Sequence, residues 1–317
     1  VYSENEKIKQ GTTLENSGVV LFAFGRPQYY QMAYNLIFSI KAYSPNVKIA
    51  LFVDSIALLR RYCPEVYEYT YIVNELLTED VIRAKRIDPA LVKVSVYNYL
   101  PFEHNLYLDV DAVCIKDIEP LLNDLAGTGA PYLSHKVGEH KIEQGREIPS
   151  MQWAYADDIW RQYELTQDDI LPAINSSFQY INICQQSQTL YETFKDLYIN
   201  NPLPLNKLRM KWGGCQPDEL YMNIALCLNK IDPAYNNDID KLKAENGCIH
   251  FASKIGYSFN EIIEKYYFQS YYGQTRFTPK YYIDWLDRIL QVEFSKVGRK
   301  HIFRISNLIP YKHANNG

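Results

Sequence analysis

No run of apolar residues in this 317-residue chain approaches the ~20 needed to cross a bilayer as a helix. No signal-peptide pattern is visible either, so a cytoplasmic protein is expected. The six cysteines, Cys63, Cys114, Cys184, Cys215, Cys227 and Cys248, form no C-x-x-C pair. Scattered free thiols in a reducing compartment fit that spacing. No excess of positive charge is present. A formal net charge of −4 gives no general attraction to nucleic acid or anionic lipid, though it leaves room for a local basic patch. Internal repeats and low-complexity segments are lacking too. What the chain does have is an ordinary apolar fraction of 47%, and length for one large α/β domain or two modest ones. It also has 28 tyrosines. Codon bias in an AT-rich genome accounts for them, and so does a stacking surface for sugars or bases.

The apolar run from Gly18 to Phe24 ends at Gly25 and reads as a fully buried first strand. Gln28 to Tyr43 follows with Met32, Leu36, Ile37 and Ile40 on one helical face and Pro45 beyond its end. Lys48 to Val53 is a second strand. Strand–helix–strand of this kind indicates a parallel, doubly wound sheet. Asp88-Pro89 starts a helix to about Tyr97, with Asp as cap and Pro at the first helical position. Residues 136–152 read as a long polar surface loop. Ser177 to Ile183 and Cys248 to Phe251 read as strands, and Pro217 to Leu228 as a helix. Asn175-Ser176-Ser177 matches a glycosylation acceptor but lies in a strand-like stretch. Open α/β sheets bind ligands at the carboxyl ends of their strands.

One such end is Leu106-Tyr107-Leu108-Asp109-Val110-Asp111-Ala112-Val113. In a continuous strand, residues i and i+2 share a face with alpha carbons about 6.6 Å apart. Asp109 and Asp111 would then point the same way. Two bare carboxylates about 4 Å apart repel by roughly 4 kcal/mol at an effective dielectric of about 20. A cation or a shared proton between them removes that cost. Hard oxygen donors select Mg²⁺ or Mn²⁺. A strand ending in a polar turn explains the same residues without a metal.

Further segments extend the pattern. Ile174-Asn175-Ser176-Ser177-Phe178-Gln179-Tyr180-Ile181-Asn182 is one, Pro217-Asp218-Glu219-Leu220-Tyr221-Met222-Asn223 another, and Cys248-Ile249-His250-Phe251-Ala252-Ser253-Lys254 a third. Together with Val19–Gly25, Lys93 and the Asp-x-Asp, in this order, they make the chain resemble nucleotide-sugar glycosyltransferases of the GT-A fold. The resemblance is to the retaining family 8, the glycogenin-like and lipopolysaccharide galactosyltransferase-like enzymes. It implies an α/β fold with a Rossmann-like mixed sheet flanked by helices over residues 18–256. A mobile segment, 1–17, would precede this domain. A helical, aromatic and basic extension, 257–317, would follow it.

The resemblance also implies roles. Asp109, Asp111 and His250 would hold Mn²⁺ or Mg²⁺. Phe24, Gly25, Arg26, Lys93, Asp109 and Lys254 would contact the nucleotide of a UDP-sugar. Asp218, Gln216 and Asn175 would meet the sugars. The activity implied is transfer of a hexose to an acceptor with retention of anomeric configuration. The family's late segment reads H-F/Y-x-G-x-x-K; here the Gly is absent and Lys254 comes early. Each residue also has a plain explanation. His250 could be a core histidine on a short strand, Lys93 and Lys254 solvated cations, and Arg26 a turn cap. Asp218 and Glu219 suit a helix N-terminus by charge alone.

Beyond Tyr257 the chain is dense in aromatic and basic residues, including Tyr266, Tyr267, Phe268, Arg276, Lys280, Arg299 and Lys300. A helical cap on the sheet, contact with the inner membrane face, and contact with a single nucleic-acid strand are all consistent with that. The acceptor is correspondingly open: a glycan, a lipid-linked glycan or a protein, with DNA as the variant reading. Two other functions compete. A sugar-nucleotide-binding protein without catalysis would not need Asp109, Asp111 and His250 to converge. A nucleotidyltransferase would need a longer Gly-rich loop than Phe24-Gly25-Arg26-Pro27.

Overall fold

The computed structural model describes residues 15–24, 27–62, 72–75, 89–110, 112–114, 116–141, 149–150, 153–166, 168–208, 216–235 and 249–251. Its centre is a six-stranded sheet in the order β3-β2-β1-β4-β9-β6. These strands are β1 (Glu15–Ala23), β2 (Lys48–Val53), β3 (Ile72–Glu75), β4 (Phe102–Leu108), β6 (Tyr132–Lys141) and β9 (Ile170–Asn182). The pairs β1–β2, β1–β4 and β2–β3 are parallel, while β9 runs antiparallel to both β4 and β6. Only β9 therefore opposes the other five. The α/β class with a mixed sheet flanked by helices is the one expected. The C-terminal extension lies outside the described residues.

Both faces of the sheet are covered, which is why its central strands read as unbroken apolar runs. Along β2, Ile49, Leu51 and Val53 enter one core and Ala50 and Phe52 the other. The first core is closed by α1 (Pro27–Tyr43) and α4 (Glu119–Gly127). Met32, Leu36, Ile37 and Ile40 of α1 are all buried, as the helical spacing requires. The second core is closed by α3 (Pro89–Ser95), α6 (Gln185–Ile199) and α7 (Asp218–Leu228), which pack on one another. Between α1 and α3 lies α2 (Ile56–Tyr62), and α5 (Ala156–Tyr163) precedes β9. Gly18 on β1 lies under the Phe102 ring of the neighbouring strand; a Cβ there would fall 2.4 Å from Phe102 Cε2.

Several expected boundaries move. β1 begins at Glu15, ahead of Gly18. β9 begins at Ile170, well before Ser177. The helix from Pro89 tightens at Val96–Tyr99 into a 3-10 turn. The expected loop over 136–152 is partly ordered strand. β6 runs on to Lys141, and Pro149–Ser150 (β7) pairs with Ala154–Tyr155 (β8). β6 escapes a period-2 reading because its pairing with β9 shifts register twice, between Ser134 and His135 and between Lys136 and Gly138.

Candidate functional site

β1 and β4 are adjacent and parallel, but β2 lies on the far side of β1, so the chain changes direction of winding between them. Such a switch point opens a crevice at the carboxyl ends of the strands. Asp109 stands there, one residue past the end of β4. Its N–H donates to the Ser177 carbonyl at 2.9 Å, which carries the β4–β9 ladder one step further. The chain then turns, with the Ala112 N–H donating to the Asp109 carbonyl at 3.1 Å. The strand expected from Leu106 to Val113 is thus two, β4 and the short β5 (Ala112–Cys114), separated by a turn. Strand alternation consequently does not relate Asp109 to Asp111, and Asp111 lies outside the described residues.

Tyr107 precedes Asp109 by two and shares its face. The Tyr107 hydroxyl donates to Asp109 Oδ1. The same oxygen accepts from Lys93 Nζ at 3.0 Å, and Lys93 Nζ lies 3.1 Å from Asp218 Oδ2. Two carboxylates therefore share one ammonium, and the three side chains together carry one net negative charge. Side-chain exposures of 17% for Lys93, 24% for Asp109 and 21% for Asp218 make this a largely desolvated pair of ion pairs. Lys93 Nζ also sits 5.2 Å from the centroid of the Tyr107 ring.

Burial draws the Lys93 ammonium's pKa down. The charges of Asp109 and Asp218, with Tyr107, outweigh it and hold the group well above its usual 10.5. Burial, then the Asp109 charge, pushes the Tyr107 phenol up. Lys93, Val96, Tyr107, Gln179 and Tyr191 line a cavity of about 10 Å³, room for one water at most.

Asp218 and Glu219 open α7 and diverge. Asp218 reaches Lys93. Glu219 Oε1 accepts from the Ser176 N–H at 3.0 Å and its hydroxyl at 3.2 Å, while Oε2 accepts from Trp153 Nε1 at 3.2 Å. Asn223, one turn on and fully buried, accepts the Ile174 N–H at 3.0 Å. These bonds tie the start of α7 to the part of β9 that borders Asp109. Asn175 lies on that stretch, and its Oδ1 accepts the Ser177 N–H at 3.1 Å. Gln216, two residues before Asp218, takes the Tyr221 hydroxyl on its Oε1.

Lys93, Asp109 and Asp218 are therefore joined by direct contacts, with Asn175 close by through β9. Phe24 is buried in the second core beside Phe22. The strand Ile249–Phe251 (β10) pairs antiparallel with β5, setting the backbone of His250 opposite that of Val113, two residues past Asp111. Gly25, Arg26 and Lys254 lie outside the described residues.

A divalent cation needs hard oxygen donors, and the Asp109 carboxylate is one of these. Two carboxylates and an imidazole are a donor set that suits Mn²⁺ or Mg²⁺ by chemistry. The β5–β10 pairing places the backbone of His250 beside β5, and the side chains of Asp111 and His250 lie outside the described residues. Among the described residues no group of three or more His, Cys, Asp or Glu side chains gathers in a ligating arrangement. A larger open cleft of about 560 Å³ is lined by Tyr155, Asp157, Asp158, Arg161 and Lys207, none of them in the Lys93 cluster.

Tyr107, Ser176 and Gln179 lie in the singled-out segments without a role assigned to them, and Trp153 lies outside those segments. The signal for Tyr107 is its two-residue offset from Asp109, and for Ser176 and Gln179 their place beside Asn175. Trp153 follows a polar stretch with no period.

No family model matches the chain, and no curated protein matches it. A solved structure of the galactosyltransferase LgtC, in complex with donor and acceptor sugar analogues, is similar at 14% identity and a TM-score of 0.41. The match covers 67% of this chain and 70% of that one. At that identity and overlap it transfers no residue role to this chain.

Proposed function

We propose that the chain is a metal-dependent glycosyltransferase, moving a hexose from a UDP-sugar to an acceptor glycan, lipid-linked glycan or protein. The observation that carries the reading is the meeting of Lys93, Asp109 and Asp218 at the switch point of the sheet. Charged side chains this poorly solvated are costly to assemble, and they cluster where a site needs fixed charge.

In this reading Asp109, Asp111 and His250 hold Mn²⁺ or Mg²⁺. Bound there, the ion supplies charge neutralisation to the departing diphosphate. Lys93 bridges Asp109 and Asp218. Asp218 presents a carboxylate oxygen toward the sugar, where positive charge develops at the anomeric carbon. The Asn175 amide lines the same side, on β9. Gln216, its Oε1 bound to the Tyr221 hydroxyl, stands at the approach to α7, where a sugar contact remains part of the reading. Retention of configuration rests on the segment resemblance alone, and the anomeric proton signal of the product reads it.

Hydrolysis of a panel of nucleotide sugars, with Mn²⁺ and with EDTA, tests the reading. The parent is expected to turn over a UDP-sugar only with metal. Asp109→Ala and Asp111→Ala should each reduce turnover by about 100-fold or more, a loss of roughly 3 kcal/mol in transition-state stabilisation. Turnover indifferent to EDTA and to both substitutions would reject the metal assignment. Metal-dependent UDP binding without turnover of any donor or acceptor would favour a non-catalytic sugar-nucleotide-binding protein.

A further inference from the structure

We propose that Lys93 is a built-in counter-cation that competes with the divalent ion for Asp109 and steps toward Asp218 when the ion binds. The inference rests on the metal reading above. Lys93 Nζ is almost equidistant from the two carboxylates, 3.0 Å from Asp109 Oδ1 and 3.1 Å from Asp218 Oδ2. Its backbone cannot withdraw, because Val92 and Val94 on either side are each only 1% exposed and Val96 and Leu100 are buried as well. The cavity of about 10 Å³ that Lys93 lines is too small to take its side chain. With its backbone held, the ammonium stays within reach of both partners.

Without a metal, Lys93 offsets the repulsion between Asp109 and Asp218, so the cluster is stable empty. An ion on Asp109 meets a positive charge on the same carboxylate, and like charges this close in a poorly solvated site repel strongly. Lys93 relieves that repulsion by resting on Asp218. Metal binding and the Lys93–Asp218 contact are therefore linked, and linkage of this kind is reciprocal. Asp218, at the head of α7, thus acts on the metal without touching it.

The two partners should change metal affinity in opposite directions. Mn²⁺ binding to the full chain, without nucleotide, is followed by loss of the free-ion electron paramagnetic resonance signal. Lys93→Gln keeps hydrogen-bond donors but loses the charge; it should bind Mn²⁺ at least about tenfold tighter than the parent. Asp218→Asn removes the alternative resting place and should bind about threefold or more weaker. Lys93→Arg keeps the charge and should stay within about threefold of the parent. Circular dichroism establishes that each variant is folded; should Lys93→Gln not fold, the weakening in Asp218→Asn decides. If Lys93→Gln binds no tighter while Asp109→Asn abolishes binding, the role of Lys93 falls and the metal reading stands. If neither the parent nor Lys93→Gln binds Mn²⁺ better than Asp109→Asn does, both fall.

Discussion

One ammonium serves two carboxylates and a tyrosine ring beside the carboxyl end of β4. The functional groups are few, and each is used more than once. Asp109 Oδ1 takes both Lys93 and Tyr107; Glu219 fastens Ser176 with one oxygen and Trp153 with the other. Lys93 gains its partners only in the folded state, and its folded pKa lies above the usual 10.5. A group whose pKa rises on folding adds stability that is fully present below the unfolded value and is lost as pH climbs through the folded one. The difference in melting temperature between the parent and Lys93→Gln should therefore hold constant from about pH 6 to about pH 9 and narrow above about pH 10.5. A difference that varied through the neutral range would show that other groups set the charge of the cluster.

Elements bring these residues together through unequal contributions. β4 and β9 carry Asp109 and Asn175 to one edge because they pair antiparallel, Leu108 opposite Phe178. Helix α7 is anchored to β9 by a buried polar bond, Asn223 Oδ1 to the Ile174 N–H. Asn223→Ala leaves that N–H buried without an acceptor, which costs about 1–3 kcal/mol. Urea denaturation should show a loss of that size, and hydrogen exchange at the Ile174 amide should accelerate. Because α7 also bears Asp218, the loosened helix should lower turnover in the nucleotide-sugar assay as well. Unchanged exchange at Ile174 would mean that the contact does not hold the helix.

Among the described residues the six-stranded sheet lies between two cores, so damage on either side is felt on the other. Leu51 and Phe52 are neighbours in sequence, fully buried, and point into opposite cores. Leu51→Ala should cost about 2–5 kcal/mol and Phe52→Ala about 3–5 kcal/mol. Both losses should appear in a single unfolding transition, the same by near- and far-ultraviolet circular dichroism. Separate transitions would show that the two layers unfold independently. No helix among the described residues is long and apolar enough to cross a membrane.

Much of this arrangement was legible before folding. Unbroken apolar runs such as Val19–Phe24 and Lys48–Val53 betray strands buried on both faces, because burial of both faces removes the polar alternation. The period of Met32, Leu36, Ile37 and Ile40 marks α1 for the same kind of reason. Asp109 and Asp218 could be singled out as carboxylates at a strand end and a helix start. The turn after Asp109, the continuation of β6 and the bracing of Glu219 by Trp153 were not legible. The strand continuation and the Trp153–Glu219 contact are set by partners tens of positions away, and the turn begins where Asp109 bonds Ser177 on β9. Local patterning determined which segments would be strands and helices, since periodicity is a property of neighbours. Tertiary structure alone decided that Lys93 stands between Asp109 and Asp218, because a short-range electrostatic contact depends on distance in space and not on separation along the chain.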